Sequence, residues 1–84
     1  MFRIYAEKTK RVKRAIFNSP LVQTGCTITN GIGFWNGKKE KSFIVEVTDE
    51  QEAGARALSQ QIVLNCGQEA VLLVHLANTS EFIT

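Results

Sequence analysis

Residues 2–6, FRIYA, alternate weakly between apolar and polar and carry aromatic side chains, a pattern that predicts a short strand. The period then changes. In residues 9–18, TKRVKRAIFN, Val12 and Ile16 stand four apart with Ala15 beside them, one apolar stripe on a short helix. Lys10, Arg11, Lys13 and Arg14 fall largely on its wet side. Asn18-Ser19-Pro20 ends it, because the residue before a proline is pushed out of helical geometry.

Residues 24–48 read most clearly, as two strands joined at Asn36-Gly37. Both central positions of a type I′ turn need positive φ, which Asn and Gly tolerate. Such a turn sets Trp35 opposite Lys38. Counting back, Phe34 faces Lys39, Ile32 faces Lys41, Asn30 faces Phe43, Ile28 faces Val45 and Cys26 faces Val47, a set that is apolar near the strand bases. The other face is mixed: Thr27 with Glu46, Thr29 with Ile44, Gly31 with Ser42, Gly33 with Glu40. A slip of one residue would exchange the two faces. Gly31 and Gly33 weaken the first strand and mark a candidate bulge. The tip, with Phe34, Trp35, Asn36, Lys38 and Lys39, is a projecting basic and aromatic arm.

Thr48 and Gln51 have capping-box spacing, and Asp49, Glu50 and Glu52 suit the positive end of a helix dipole. Ala55, Leu58, Ile62 and Cys66 fall within about 80° of one another on a helical wheel, the face expected on a sheet. Gly67 fits the position just past the helix end. Residues 70–77, AVLLVHLA, are a continuous apolar run of strand length, and the tail NTSEFIT extends it.

The order is β-α-β-β-α-β, which predicts one α+β domain over residues 1–84. Its expected architecture is ferredoxin-like: a split βαβ antiparallel sheet of four strands, with two helices on one face. The first and third strands are then central and the other two are edges. The rival reading denies a helix to residues 1–20 and makes the chain a β-β-α-β unit completed by another copy. In either case one of the sets Val71, Leu73, His75 and Leu72, Val74, Leu76 lies on the helix-free face. With Ile44 and one side of FRIYA it makes an apolar surface that predicts a homo-oligomer, packed sheet to sheet or joined at strand edges.

Charge changes this picture by being uneven. The formal net charge is +2, yet residues 1–14 alone sum to +5, with Arg3, Lys8, Lys10, Arg11, Lys13 and Arg14 against Glu7. The block reads either as a site for an anionic partner or as a solvated helix face. Charge alone does not favour direct DNA binding. No apolar run approaches the ~20 residues that span a bilayer. The first residues, MFRIYAEKTK, lack a signal peptide's apolar core, so no membrane partner and a cytoplasmic location are expected. Cys26 and Cys66 are the only cysteines; two buried free thiols are expected, with a disulfide between them as the alternative. Without a CxxC pair or a second histidine, no metal is expected, and no motif calls for a cofactor.

His75 is the one candidate near-neutral acid or base. No Ser, Cys or Asp stands at informative spacing from it, and no Walker loop, GxGxxG, HExxH or GxSxG occurs. An enzyme is therefore not expected; the enzymatic alternative is a small oligomeric one with His75 as base in a cleft between subunits. The stronger constellation is ligand-like. Trp35 and Phe34 can stack on a base, and Lys38, Lys39 and Lys41 can meet phosphate, as can Arg11 and Arg14. The third strand, KSFIVEVT, carries no RNP1 signature, which argues against an RRM.

The stretch from Gly31 to Ser42, GIGFWNGKKEKS, followed by FIVEV and later by EAVLLV, resembles a loose group of small bacteriophage and prophage proteins. Their pattern is roughly G-x-[YFW]-x-G-x-x-E-x-S before a β-branched strand, a helix and a final strand, and either Phe34 or Trp35 fills its aromatic position. The resemblance implies a viral protein in the host cytoplasm and transfers no catalytic residue. The expected function is that of a phage-type accessory protein that binds stoichiometrically against a host defence or regulatory system. In one version an oligomer sequesters a nucleotide-like anion. Arg3, Arg11, Arg14, Lys38 and Lys39 would hold phosphate, Phe34 or Trp35 would stack the base, and Thr27, Thr29, Asn78, Thr79 and Ser80 would supply hydrogen bonds. In the other it blocks a host protein that handles nucleic acid, through its hairpin tip or a free edge strand.

Overall fold

The first strand, β1 (Phe2–Glu7), buries Phe2, Ile4 and Ala6 and leaves Arg3, Tyr5 and Glu7 on its other side. A computed structural model gives this arrangement; it describes every residue except Glu69, Ala77 and Asn78, and the backbone alone of residues 79–81. Helix α1 (Lys10–Phe17) follows. The Thr9 side chain caps it, accepting from the Val12 N–H at 3.1 Å, and Val12, Ala15 and Ile16 are buried as the stripe predicts. A helix here removes the rival β-β-α-β reading.

Pro20 does more than end α1. It opens a second, short helix, α2 (Leu21–Thr24), that the sequence reading did not foresee. A proline suits a helix start, where its missing N–H has no intrahelical partner to lose. Leu21 is buried, and its N–H donates to the Ser19 hydroxyl at 3.2 Å. The hairpin accordingly begins later than residue 24.

Strands β2 (Thr27–Trp35) and β3 (Lys38–Val47) pair in the expected register, from Thr27 with Glu46 to Trp35 with Lys38. Asn36 and Gly37 have φ of 51° and 78°, as the I′ turn demands. No bulge occurs at the glycines: Gly31 faces Ser42 and Gly33 faces Glu40 in an unbroken ladder. A turn over Asp49–Gln51, closed by the Thr48–Gln51 capping box, leads into α3 (Glu52–Asn65). That helix buries Ala55, Leu58, Ser59 and Ile62, and Gly67 takes φ of 70° after its end.

The tail departs from expectation. After β4 (Val71–His75) the chain reverses and β5 (Thr79–Ile83) pairs antiparallel with it, Leu72 facing Phe82. The result is an α+β fold with an open, five-stranded antiparallel sheet in the order β2-β3-β1-β4-β5. Strand β4, expected at an edge, lies inside, and the edges are β2 and β5. Phe2, Ile4, Val45, Val47, Val71 and Leu73 join Val12, Ile16, Leu58 and Ile62 in one buried core. Both longer helices therefore cover the same sheet face, and the other face has none. Among the described residues, no helix is long and apolar enough to cross a membrane. Cys26 and Cys66 are free and only half-buried, packed against the core rather than within it.

Candidate binding site

The period of two along each strand assembles the helix-free face in rows. One row, Thr29, Ile44, Tyr5, Leu72 and Phe82, crosses all five strands. The next contains Thr27, Glu46, Arg3 and Val74. Strand β1 supports β3 only from Ser42 to Val47, with one further bond from the Lys8 N–H to the Lys41 carbonyl at 2.8 Å. The distal hairpin thus overhangs the sheet.

This overhang curls back over the helix-free face. The Trp35 and Phe82 rings meet edge to face, with centroids 5.4 Å apart. In a flat sheet the strands that carry them would be separated by four spacings, about 19 Å. Along this side of β2 the glycines leave the β3 side chains uncovered: a Cβ on Gly31 would come within 3.1 Å of Ile44 Cδ1, and one on Gly33 within 3.4 Å of Ser42 Oγ. A trough of about 380 Å³ lies beneath the arm.

Tyr5, Trp35, Leu72 and Phe82 form the apolar part of the trough, and Glu7, Glu40, Ser42 and Gln68 the polar part. Gln68 is tied in both directions to Glu7: its Nε2 donates to Glu7 Oε2, and its Oε1 accepts from the Glu7 N–H, both at 3.3 Å. Glu40 is half-buried, and its side chain makes no hydrogen bond or ion pair among the described residues. Among the described residues no lysine, arginine or histidine lines the trough.

The residues singled out from sequence are divided between surfaces. Trp35 and Lys38 share the helix-free face at the arm's end, with Thr27, Thr29 and Arg3 nearer its base. Arg3 is not free. Its Nε donates to Glu46, and this bond, with help from Tyr5, raises the guanidinium pKa above its ordinary value. Phe34 and Lys39 alternate to the other side of the hairpin, and Phe34 is 71% exposed, although it also borders the trough. Arg11 and Arg14 are exposed on α1, in the helical layer. The basic groups do not converge on the aromatic ones within one chain. Thr79 and Ser80 contribute backbone pairing with His75 and Val74, and Asn78 lies outside the described residues.

His75 stacks on the Phe2 ring at 4.3 Å, and its Nε2 is 3.3 Å from Asp49 Oδ1, which also pairs with the N-terminal ammonium. That cluster belongs to the end of the sheet, away from the trough lining. Burial pushes the Cys26 thiol pKa up, which disfavours its thiolate at neutral pH.

Sequence reasoning missed Tyr5, Glu7, Glu40, Gln68, Leu72 and Phe82. No periodic signal marks Phe82: the tail NTSEFIT sets four polar residues before Phe82 and Ile83 side by side, so no alternation announces a strand there. No family model, curated protein or solved structure matches the chain.

Proposed function

We propose that the chain acts by stoichiometric binding, with the trough under the hairpin arm as its site. The fold reads as a ferredoxin-like core, strands β1 to β4 with α1 and α3, to which β5 is added. In the setting suggested by the phage-like hairpin motif, such a module withdraws a small molecule or a partner's side chain from a host process. The Trp35–Phe82 contact carries the reading, because it turns an open sheet face into a walled concavity with aromatic sides and a few polar groups. The nucleotide-like ligand expected from sequence has one route here. Its base would enter the trough while Lys38, beside Trp35, meets phosphate; Arg11 and Arg14 could take part only from a second copy.

A second reading, a protein-blocking module, is favoured by β2. This edge strand of nine residues, TITNGIGFW, carries no charge and no proline, so it offers an unguarded row of backbone groups.

Amide chemical-shift mapping against a panel of nucleosides, nucleotides and amines tests the first reading. Shifts are expected at Gly33–Trp35, Glu40 and Phe82. Shifts confined to α1 or to the outer edge of β2 would remove the trough as the site.

A further inference from the structure

The trough is sorted by charge as well as by shape. Glu7 stands opposite Ser42, and Glu40 follows two residues along the same face of β3. Diagonal neighbours of this kind have Cα atoms about 7–8 Å apart. Both residues line the trough, so a group bound there is within reach of two carboxylates on one face. Gly33, opposite Glu40, sends no side chain across to cover it, and Glu40 has no partner among the described residues. Among the described residues the Glu7 carboxylate has one long hydrogen bond, from Gln68 Nε2 at 3.3 Å. Tyr5, Trp35 and Phe82 line the same trough, and an aromatic face attracts a cation that has left water. Lys39 and Lys41 face the helical side, and Lys38 shares the face of Glu40 at the arm's end but lies outside the trough lining.

We infer that the trough takes an organic cation, an alkylated ammonium or a guanidinium, with its charge between Glu7 and Glu40 and its carbon surface on Trp35, Tyr5 and Phe82. The inference rests on the trough being the binding site and names its ligand class. A phosphate placed in the same volume meets two carboxylates and no compensating base. An alkyl group without charge gains the rings but leaves Glu40 unpaired. Only a group that is both apolar and positive uses the whole lining.

The test titrates the full chain with choline, with its uncharged isostere 3,3-dimethylbutan-1-ol, with Nα-acetylarginine amide and with AMP. Fluorescence of Trp35, the only tryptophan, and the amide shifts of β2 and β5 report binding. Choline or the arginine amide is expected to bind at least roughly tenfold more tightly than the alcohol. Whichever of the two cations is the tighter shows whether a free amine or a protein side chain is the natural source, and either result supports the inference. The double variant Glu7→Gln, Glu40→Gln is expected to lose the preference for charge while keeping weak binding of the alcohol. Should that variant not fold, high salt applied to the unsubstituted chain reads the same effect, weakening the cation and sparing the alcohol. Equal affinity for choline and the alcohol overturns the inference. Tighter binding of AMP, with shifts in the trough, overturns it too but leaves the trough as the site. If no probe shifts the trough, both readings fall.

Discussion

Trp35 on β2 and Phe82 on β5 touch edge to face at an interplanar angle of 65°, although their strands are the two edges of the sheet. The contact holds the overhanging arm against the body of the domain, where little backbone pairing does so. Arm position, trough volume and exposure of the carboxylates are therefore coupled to one pair of rings.

A double-mutant cycle with Trp35→Ala and Phe82→Ala measures that coupling. Urea unfolding is expected to give an interaction of about 0.5–1.5 kcal/mol, the usual range for an aromatic pair. The rings are 49% and 51% exposed, so each single loss stays below that of a core aromatic, about 3–5 kcal/mol. Strictly additive losses would mean that the arm does not rest on β5 in solution.

Two glycines of the hairpin separate strain from space. At Gly37 nothing lies within 4 Å of an added Cβ, but φ is +78°. Gly37→Ala is therefore expected to cost about 1–2 kcal/mol through the backbone alone. Gly31 has ordinary φ, and its added Cβ meets the movable Ile44 Cδ1 at 3.1 Å. Gly31→Ala should cost less than about 1 kcal/mol, the small clash being offset by reduced freedom of the unfolded chain. The reverse ranking, measured by thermal unfolding, would contradict the type I′ turn.

The hairpin register was legible because Asn36-Gly37 fixes a turn with a single geometry, and the period of two then propagates to Thr27 and Glu46. Helix α3 was legible because its cap, its stripe and its glycine stop agree. Strand β5 was hidden, since an apolar run such as AVLLVHLA shows where a strand lies but not where the chain turns back. The trough was hidden for the same reason. Phe82 reaches it only after that reversal, and Glu7 and Glu40 become neighbours only through the β1–β3 ladder. The basic block was legible as charge, but the topology sends Arg11 and Arg14 to the helical layer and sets Arg3 on Glu46.

Acid is expected to loosen the start of α3. Glu50 has its pKa lowered by hydrogen bonds from its own backbone N–H and from the Thr48 hydroxyl. A carboxyl whose folded pKa lies below its unfolded value of 4.5 adds stability that is complete above that value and is lost as pH falls through the folded one. Unfolding midpoints should therefore drop below about pH 4.5, and Glu50→Gln should flatten part of that decline. An unchanged pH profile in the variant would show that Glu50 forms no such bonds in solution.

The unguarded β2 edge leads to the last expectation. Natural edge strands carry lysine, proline or a bulge that prevents pairing with another chain. Here the lysines of the hairpin lie on β3, one strand in, and β2 runs unbroken through nine residues with Ile32 61% and Phe34 71% exposed on one side. Pairing β2 antiparallel with the β2 of a second copy satisfies both rows of backbone groups about one two-fold axis and covers both side chains. Each such apolar side chain gains roughly 1.5–3 kcal/mol when fully covered. Light scattering is thus expected to show a dimer at micromolar concentration, with β2 amides protected from exchange. Ile32→Lys places a charge on the edge without disturbing the core, so it should give a folded monomer. A dimer that survives this substitution with β2 amides still exchanging freely would place the contact elsewhere. A monomer at every concentration would show that the edge stays open, free for a partner's extended strand.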